Sequence, residues 1–225
     1  MKIFRDRTEA GMELGRRVAR LGLTGPVIVL GLPRGGVPVA CEVAAALAAP
    51  VDVLVVRKLG APFNPELAVG AIAFGGVTVY NEQLLEQLGL DSQALESIRA
   101  RELEELERRE RAYRGSKPPP DLAGKTVVVV DDGVATGATM HAAVLACRKL
   151  EPRRVLVAVP TAAVDAVARL TEVADRVIAV HTPEPYFGVG AWYAEFPQLT
   201  DEEVLEALSG ASAHSATDGG KHRLA

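Results

Sequence analysis

Residues 126–130, Thr-Val-Val-Val-Val, are an unbroken β-branched run with no polar alternation. A strand with one wet face alternates, so this run predicts a strand covered by helices on both faces, as in a parallel sheet. It stops at two adjacent carboxylates, Asp131 and Asp132. Gly133-Val134-Ala135-Thr136-Gly137-Ala138-Thr139 follows, and then a helix-compatible segment from Met140 to Leu150. Strand, loop and helix in that order gather free backbone N–H groups and hydroxyls around one point at the helix N-terminus, a point that favours a phosphate. Small residues let the backbone approach the anion, Gly137 can take conformations closed to other residues, and Thr136 and Thr139 add hydroxyl donors. At the strand's carboxyl end, the acceptor oxygens of Asp131 and Asp132 could hold a sugar diol attached to that phosphate. An acidic pair there can also be a metal site or a plain polar strand terminus, which are the plainer alternatives.

The run Val127 to Met140 resembles the phosphoribosyl-pyrophosphate (PRPP) binding motif of the type I phosphoribosyltransferase family: a hydrophobic strand, two acidic residues, and a short loop ending Thr-Gly-x-Thr. The alternative phosphate-binding pattern Gly-x-x-x-x-Gly-Lys-Ser/Thr does not occur. The resemblance implies that Asp131 and Asp132 hold the ribose hydroxyls. It also implies that Ala135, Thr136, Gly137, Ala138 and Thr139 cradle the 5′-phosphate.

Two further loops fit a second anion. A buried-type strand over 26–30 leads into Gly31-Leu32-Pro33-Arg34-Gly35-Gly36, a tight loop in which amides and a guanidinium could meet it. An ordinary βα turn with a solvent-facing arginine is the plainer reading. The loop resembles the family's pyrophosphate loop, with Arg34 and Gly35 in its recognisable part. A strand over 51–56 ends in Arg57 and Lys58, followed by Ala61-Pro62-Phe63-Asn64-Pro65. This resembles a cationic pair facing pyrophosphate and a loop that closes over it; the plainer reading is a surface basic pair. Runs 67–74 and 77–80, joined at Gly75-Gly76, predict a hairpin.

With strands at 26–30, 51–56, 126–131, 154–159 and 176–180 and helices near 7–21, 37–48 and 162–173, the expected fold is α/β. It is a doubly wound, parallel five-stranded sheet of order 2-1-3-4-5, type I phosphoribosyltransferase-like. Strands one and three then lie side by side, and the loops at Gly31 and Asp132 share one crevice. A single domain over 1–208 is expected, with a helical insertion at about 81–115, a small hood at about 181–200, and a tail over 209–225 without order. The insertion carries Glu104/Arg108, Glu105/Arg109, Glu107/Arg111 and Glu110/Arg114 at i, i+4 spacing, which predicts a helix over 91–114 on the outside or against a second subunit. Five of the ten aromatic residues fall between 181 and 196. Tyr186 and Phe187, with Trp192 behind them, are candidates to stack on a flat heterocycle, and a small satellite core is the alternative. Thr200 is placed to cap a helix over 200–208.

Twenty-five basic residues against 29 acidic ones argue against a dedicated nucleic-acid binder. Cys41 and Cys147 lack ligand-like spacing and fit free thiols in a reducing compartment. The longest apolar stretch is cut by Glu42, and no signal-type apolar core stands at the amino end, so no membrane span and a cytoplasmic setting are expected. What the resemblance implies is a Mg2+-dependent transfer of the 5-phosphoribosyl group of PRPP to a nitrogen of a small heterocyclic acceptor, with release of pyrophosphate. Arg34, Arg57 and Lys58 would stand on the pyrophosphate side, Mg2+ would be held mainly by PRPP near Asp131 and Asp132, and a homodimer follows family habit. Ala135 stands where the 6-oxopurine members carry Asp, which leaves the acceptor open. A non-catalytic sensor of PRPP or a nucleotide on the same fold is the alternative.

Overall fold

The computed structural model describes residues 3–91 and 93–218, apart from the side chains of residues 66 and 212–218. In chain order the elements are α1 (Arg7–Ala19), β1 (Val27–Gly31), α2 (Gly36–Leu47), β2 (Val51–Val53), β3 (Val56–Ala61), β4 (Asn64–Ala73), β5 (Val77–Tyr80), α3 (Glu82–Leu88), α4 (Glu96–Arg114), β6 (Thr126–Val130), α5 (Ala138–Arg148), β7 (Arg154–Thr161), α6 (Val164–Thr171), β8 (Arg176–His181) and α7 (Asp201–Asp218).

The main sheet is parallel throughout, in the order β2-β1-β6-β7-β8. This is the 2-1-3-4-5 order expected for the five core strands. The absence of polar alternation in β6 has the anticipated cause. Val127 and Val129 pack beneath Met140, Ala143 and Val144 of α5 and Leu170 of α6, while Val128 and Val130 pack beneath Leu14 and Val18 of α1 and Val39, Ala40 and Val43 of α2. All four valines are fully buried, and each contributes about 1.5–3 kcal/mol by leaving water. Helices α1 and α2 approach closely because Gly11 and Gly15 lie between them. A Cβ on Gly15 would fall 2.8 Å from the Cβ of Ala46, and one on Gly11 2.8 Å from that of Glu42.

Where a single strand over 51–56 was expected, the chain breaks. Leu54 and Val55 are both buried, a pattern no one-faced strand produces, and here the chain crosses from the main sheet into a second, antiparallel sheet of order β3-β4-β5. The expected hairpin at Gly75-Gly76 is β4–β5, with a short 3-10 turn over Phe74–Gly76. The stretch 61–65, read as a closing loop, is mostly strand: Ala61 pairs with Asn64 around a turn at Pro62-Phe63.

The charged helix α4 covers its own chain. Leu106 and Tyr113, with Ile98 and Leu103, lie on Leu59 of β3 and Ile72 of β4, so its apolar stripe is occupied within the molecule. Glu105 pairs with Arg109 at 2.8 Å and with Arg108 at 2.7 Å, and Glu107 with Arg111 at 3.8 Å. Arg114 makes its ion pair with Asp52 on β2, at 3.0 Å, while its charge still bears on Glu110. Thr200 and Glu203 form a reciprocal capping box, with the Glu203 N–H donating to Thr200 Oγ1 at 3.2 Å and the Thr200 N–H to Glu203 Oε2 at 2.7 Å. The helix so started continues to Asp218. The expectation of a tail without order is therefore corrected over 209–218, where alanine at 211, 213 and 216 favours helix; its remainder, 219–225, lies outside the described residues. Among the described residues no helix is long and apolar enough to cross a membrane. Cys41 on α2 and Cys147 on α5 are not bridged.

Candidate active site

The parallel register sets Gly31 beside Val130, so the loop after β1 and the acids after β6 leave the sheet together. The Leu32 N–H donates to the Val130 carbonyl at 2.9 Å. Gly35 and Gly36 then lie directly against the acidic pair. A Cβ on Gly35 would fall 1.9 Å from Asp132 Oδ2, and one on Gly36 2.8 Å from the Cα of Asp131. Gly35 has φ −63° and ψ −32°, open to any residue, so this position requires glycine for space and not for conformation. The Pro33–Arg34 peptide is cis. The Arg34 side chain is exposed and makes no hydrogen bond or ion pair among the described residues; its charge reaches Tyr113 on α4.

Each acid has one oxygen engaged by the protein. Asp131 Oδ1 accepts the Asp132 N–H at 2.9 Å, and Asp132 Oδ2 accepts Arg7 Nε at 2.9 Å. Asp131 Oδ2 and Asp132 Oδ1 take no hydrogen bond from another described residue. Burial pushes the Asp131 carboxyl well above the usual carboxylate range, and repulsion from Asp132 adds to this. Asp132 is also raised by burial, with the hydrogen bond and charge of Arg7 pulling the other way. A buried acid pair with one cation invites positive charge or hydrogen-bond donors. Among the described residues no three His, Cys, Asp or Glu side chains gather as a metal cluster. Two carboxylates with one uncommitted oxygen each suit Mg2+ that takes most of its ligands from phosphates and water.

Beyond the acids, Gly137 has φ +79° and opens α5 without a side-chain cap, leaving the first-turn N–H groups of that helix to another partner. Ala135, Thr136, Ala138 and Thr139 are exposed around that turn. Arg169 of α6 anchors the loop by donating to the Thr136 carbonyl at 2.9 Å, and the Val134 N–H donates to the Thr161 carbonyl at 2.9 Å. The five residues expected to cradle a phosphate thus surround one helix N-terminus beside Asp131 and Asp132.

The basic pair is not brought together with them. Successive residues of a strand face opposite sides, and β3 divides Arg57 from Lys58. Arg57 shares its face with Leu59, which packs on α4, and donates to Glu102 Oε2 from Nε at 2.9 Å and from Nη2 at 2.6 Å. Lys58 is exposed on the face of Val56 and its cross-strand partner Ala71, which pack against Ala142 and Leu145 of α5. Arg57 is thus committed to Glu102, and the pair lines a cleft with Pro62, Ile98 and Arg101. The sheet crossing at Leu54-Val55 puts the pair inside β3 instead of at the end of a core strand.

The hood lies on the acid-bearing loop: a Cβ on Gly133 would meet Val189 Cγ1 at 2.5 Å. Tyr186 stacks on Trp192 with ring centroids 6.2 Å apart. Its hydroxyl is buried beside the Thr161 hydroxyl, burial pushes the phenol up to about 12, and both aspartates bear on it. Phe187, by contrast, is 78% exposed. Two residues had no signal in the sequence. Tyr193 donates its hydroxyl to the Asp132 carbonyl at 2.5 Å, and Arg7, at the start of the helix expected near 7–21, reaches Asp132 across 125 positions.

The phosphoribosyl transferase domain family matches this chain over residues 20–192. Two Mycobacterium tuberculosis proteins, "Putative phosphoribosyl transferase Rv0571c" and "Putative phosphoribosyl transferase MT0597", are each 47% identical over 219 residues. Those alignments take in 97% of this chain and 49% of theirs, so the chain spans about half the length of these relatives. The crystal structure of TT1426 from Thermus thermophilus shares 48% identity and superimposes with a TM-score of 0.84, covering 92% of this chain and 98% of that one.

Proposed function

Because the chain belongs to the phosphoribosyl transferase domain family, we propose that it moves the 5-phosphoribosyl group of PRPP to a nitrogen of a small heterocyclic acceptor and releases pyrophosphate. The observation that carries this reading is the acid pair, with one uncommitted oxygen on each carboxylate beside an uncapped helix start. A vicinal diol bears two hydroxyl donors, and Asp131 Oδ2 and Asp132 Oδ1 are two acceptors for them. The backbone and hydroxyls of Ala135–Thr139 then receive the 5′-phosphate at the α5 N-terminus.

Displacement at C1 builds positive charge on the ribose and negative charge on the leaving group. The two carboxylates, held close to the ring by the diol, stabilise the first. Arg34, exposed at the neighbouring loop, is the cation placed for the second. Mg2+, when bound, supplies further charge neutralisation on the pyrophosphate. Tyr186, under the hood and electrostatically close to the acids, is the better candidate of the two aromatics to contact the acceptor. Phe187 serves only as an outer wall. A cytoplasmic setting and a homodimer belong to the same proposal.

One observation favours a second reading, a non-catalytic sensor of PRPP or a nucleotide. The engagement of Arg57 by Glu102 removes one of the three cations on which a pyrophosphate-releasing enzyme would draw. Phosphorus NMR separates the two. With PRPP, Mg2+ and a panel of adenine, hypoxanthine, guanine, xanthine, uracil and orotate, the expected result is pyrophosphate growing in with one base, lost in Asp132→Asn. PRPP bound without turnover supports the sensor, and no PRPP binding at all overturns both.

A further inference from the structure

Arg7 stands on the first turn of α1, outside the family-matched span 20–192, yet it makes the one hydrogen bond that the Asp132 carboxylate receives from another side chain among the described residues. Its side chain is 10% exposed and that of Asp132 13%. The guanidinium has three partners at once. Nε donates to Asp132 Oδ2 at 2.9 Å, Nη1 donates to the Pro197 carbonyl at 2.8 Å, and Cζ lies 3.9 Å from the centre of the Phe196 ring. Phe196 and Pro197 also fall outside the matched span. The main chain binds the same two segments: Phe4 N–H to Trp192 O at 2.9 Å, Ala194 N–H to Phe4 O and Glu195 N–H to Arg5 O, both at 2.8 Å.

We propose that Arg7, clamped between Phe196 and Pro197, is a positioning residue that fixes the Asp132 carboxylate so that Oδ1 faces the ribose diol, giving the site its preference for ribose over 2-deoxyribose. The inference rests on the ribose-diol reading of the acid pair. A carboxylate rotates about its terminal bond and offers its oxygens interchangeably unless one is held. Here Oδ2 is held by a planar donor whose own plane is set by the aromatic face beneath it and the carbonyl beside it. The remaining oxygen is thereby pre-aimed, and no ordering is left for the sugar to impose. Lysine could keep the charge, but a single ammonium on a flexible stem cannot hold both oxygens and lie flat on Phe196.

The test is calorimetric titration of the full chain with ribose 5-phosphate, 2-deoxyribose 5-phosphate and inorganic phosphate. The wild-type chain is expected to bind ribose 5-phosphate about tenfold more tightly than the 2-deoxy sugar, the value of one good hydrogen bond. Arg7→Met should bring that ratio within about twofold of unity while phosphate affinity changes less than about twofold. Arg7→Lys, which keeps the charge and spares the fold, should lower the ratio at least about threefold with phosphate again unaffected. Equal weakening of all three ligands, or an unchanged ratio in both variants, would show a merely structural arginine and overturn the inference. A wild-type chain that binds phosphate but does not distinguish the two sugars would overturn the diol reading itself, a different failure read from a different sample.

Discussion

A carboxylate removed from water beside a second one is held against its own hydration, and Asp131 is in that position. Its folded-state pKa lies above its unfolded value, so the folded chain binds the proton more tightly. Stability is then greatest below the ordinary carboxylate range and falls as pH rises through and above it. Asp131→Asn removes the charge while its amide oxygen can still accept the Asp132 N–H. This variant is expected to be more stable at neutral pH by about 1–3 kcal/mol, a rise in Tm of about 2–4 °C per kcal/mol, with the gain vanishing near pH 4 and ribose binding lost. Thermal melts from pH 4 to 8 measure the first and calorimetry the second. Gly35 gives a complementary prediction. Its backbone suits alanine, but the added methyl would collide with Asp132 Oδ2. Gly35→Ala should therefore weaken ribose 5-phosphate binding at least about tenfold, with the far-ultraviolet circular dichroism spectrum unchanged.

At the scale of elements, β3 decides what its two cations can do. Arg57 is tied into the contact with α4, and Glu102, 12% exposed, depends on it. Arg57→Met is expected to lower stability by about 1–3 kcal/mol in urea denaturation, as for a charged hydrogen-bonded pair, while changing pyrophosphate affinity by less than about twofold. A tenfold loss of pyrophosphate affinity would instead return Arg57 to the site. The same element shows where sequence patterns stop informing. Unbroken valines announced β6, the acids and small loop residues after it announced the site, and the 2-1-3-4-5 order followed from alternating strands and helices. Arg57-Lys58 looked like the end of a core strand because a buried run such as Val51–Val56 carries no mark of the point where it changes sheets. Periodicity reports local burial, and a crossing between two sheets is buried on both sides. Arg7 and Tyr193 were illegible for a related reason: their role is set by contacts with Asp132, far from either of them along the chain.

Over the whole molecule, the family-matched core is incomplete as a packing unit. Ala10, Leu14 and Val18 of α1 are fully buried against the same sheet face as Val128 and Val130. A chain beginning at residue 20 would bare that face, and it is expected to bind a hydrophobic dye and melt without a cooperative transition, whereas the intact chain melts as a unit. The amino-terminal segment also meets the hood beside the acid pair, with Phe4 and Arg5 joined by main-chain hydrogen bonds to residues 192–195. For anyone handling the protein, this makes the amino end a poor attachment point. A purification handle or fusion partner placed there emerges within a few residues of the hood, so two preparations differing only in their leader could report different sugar affinities for one and the same active site.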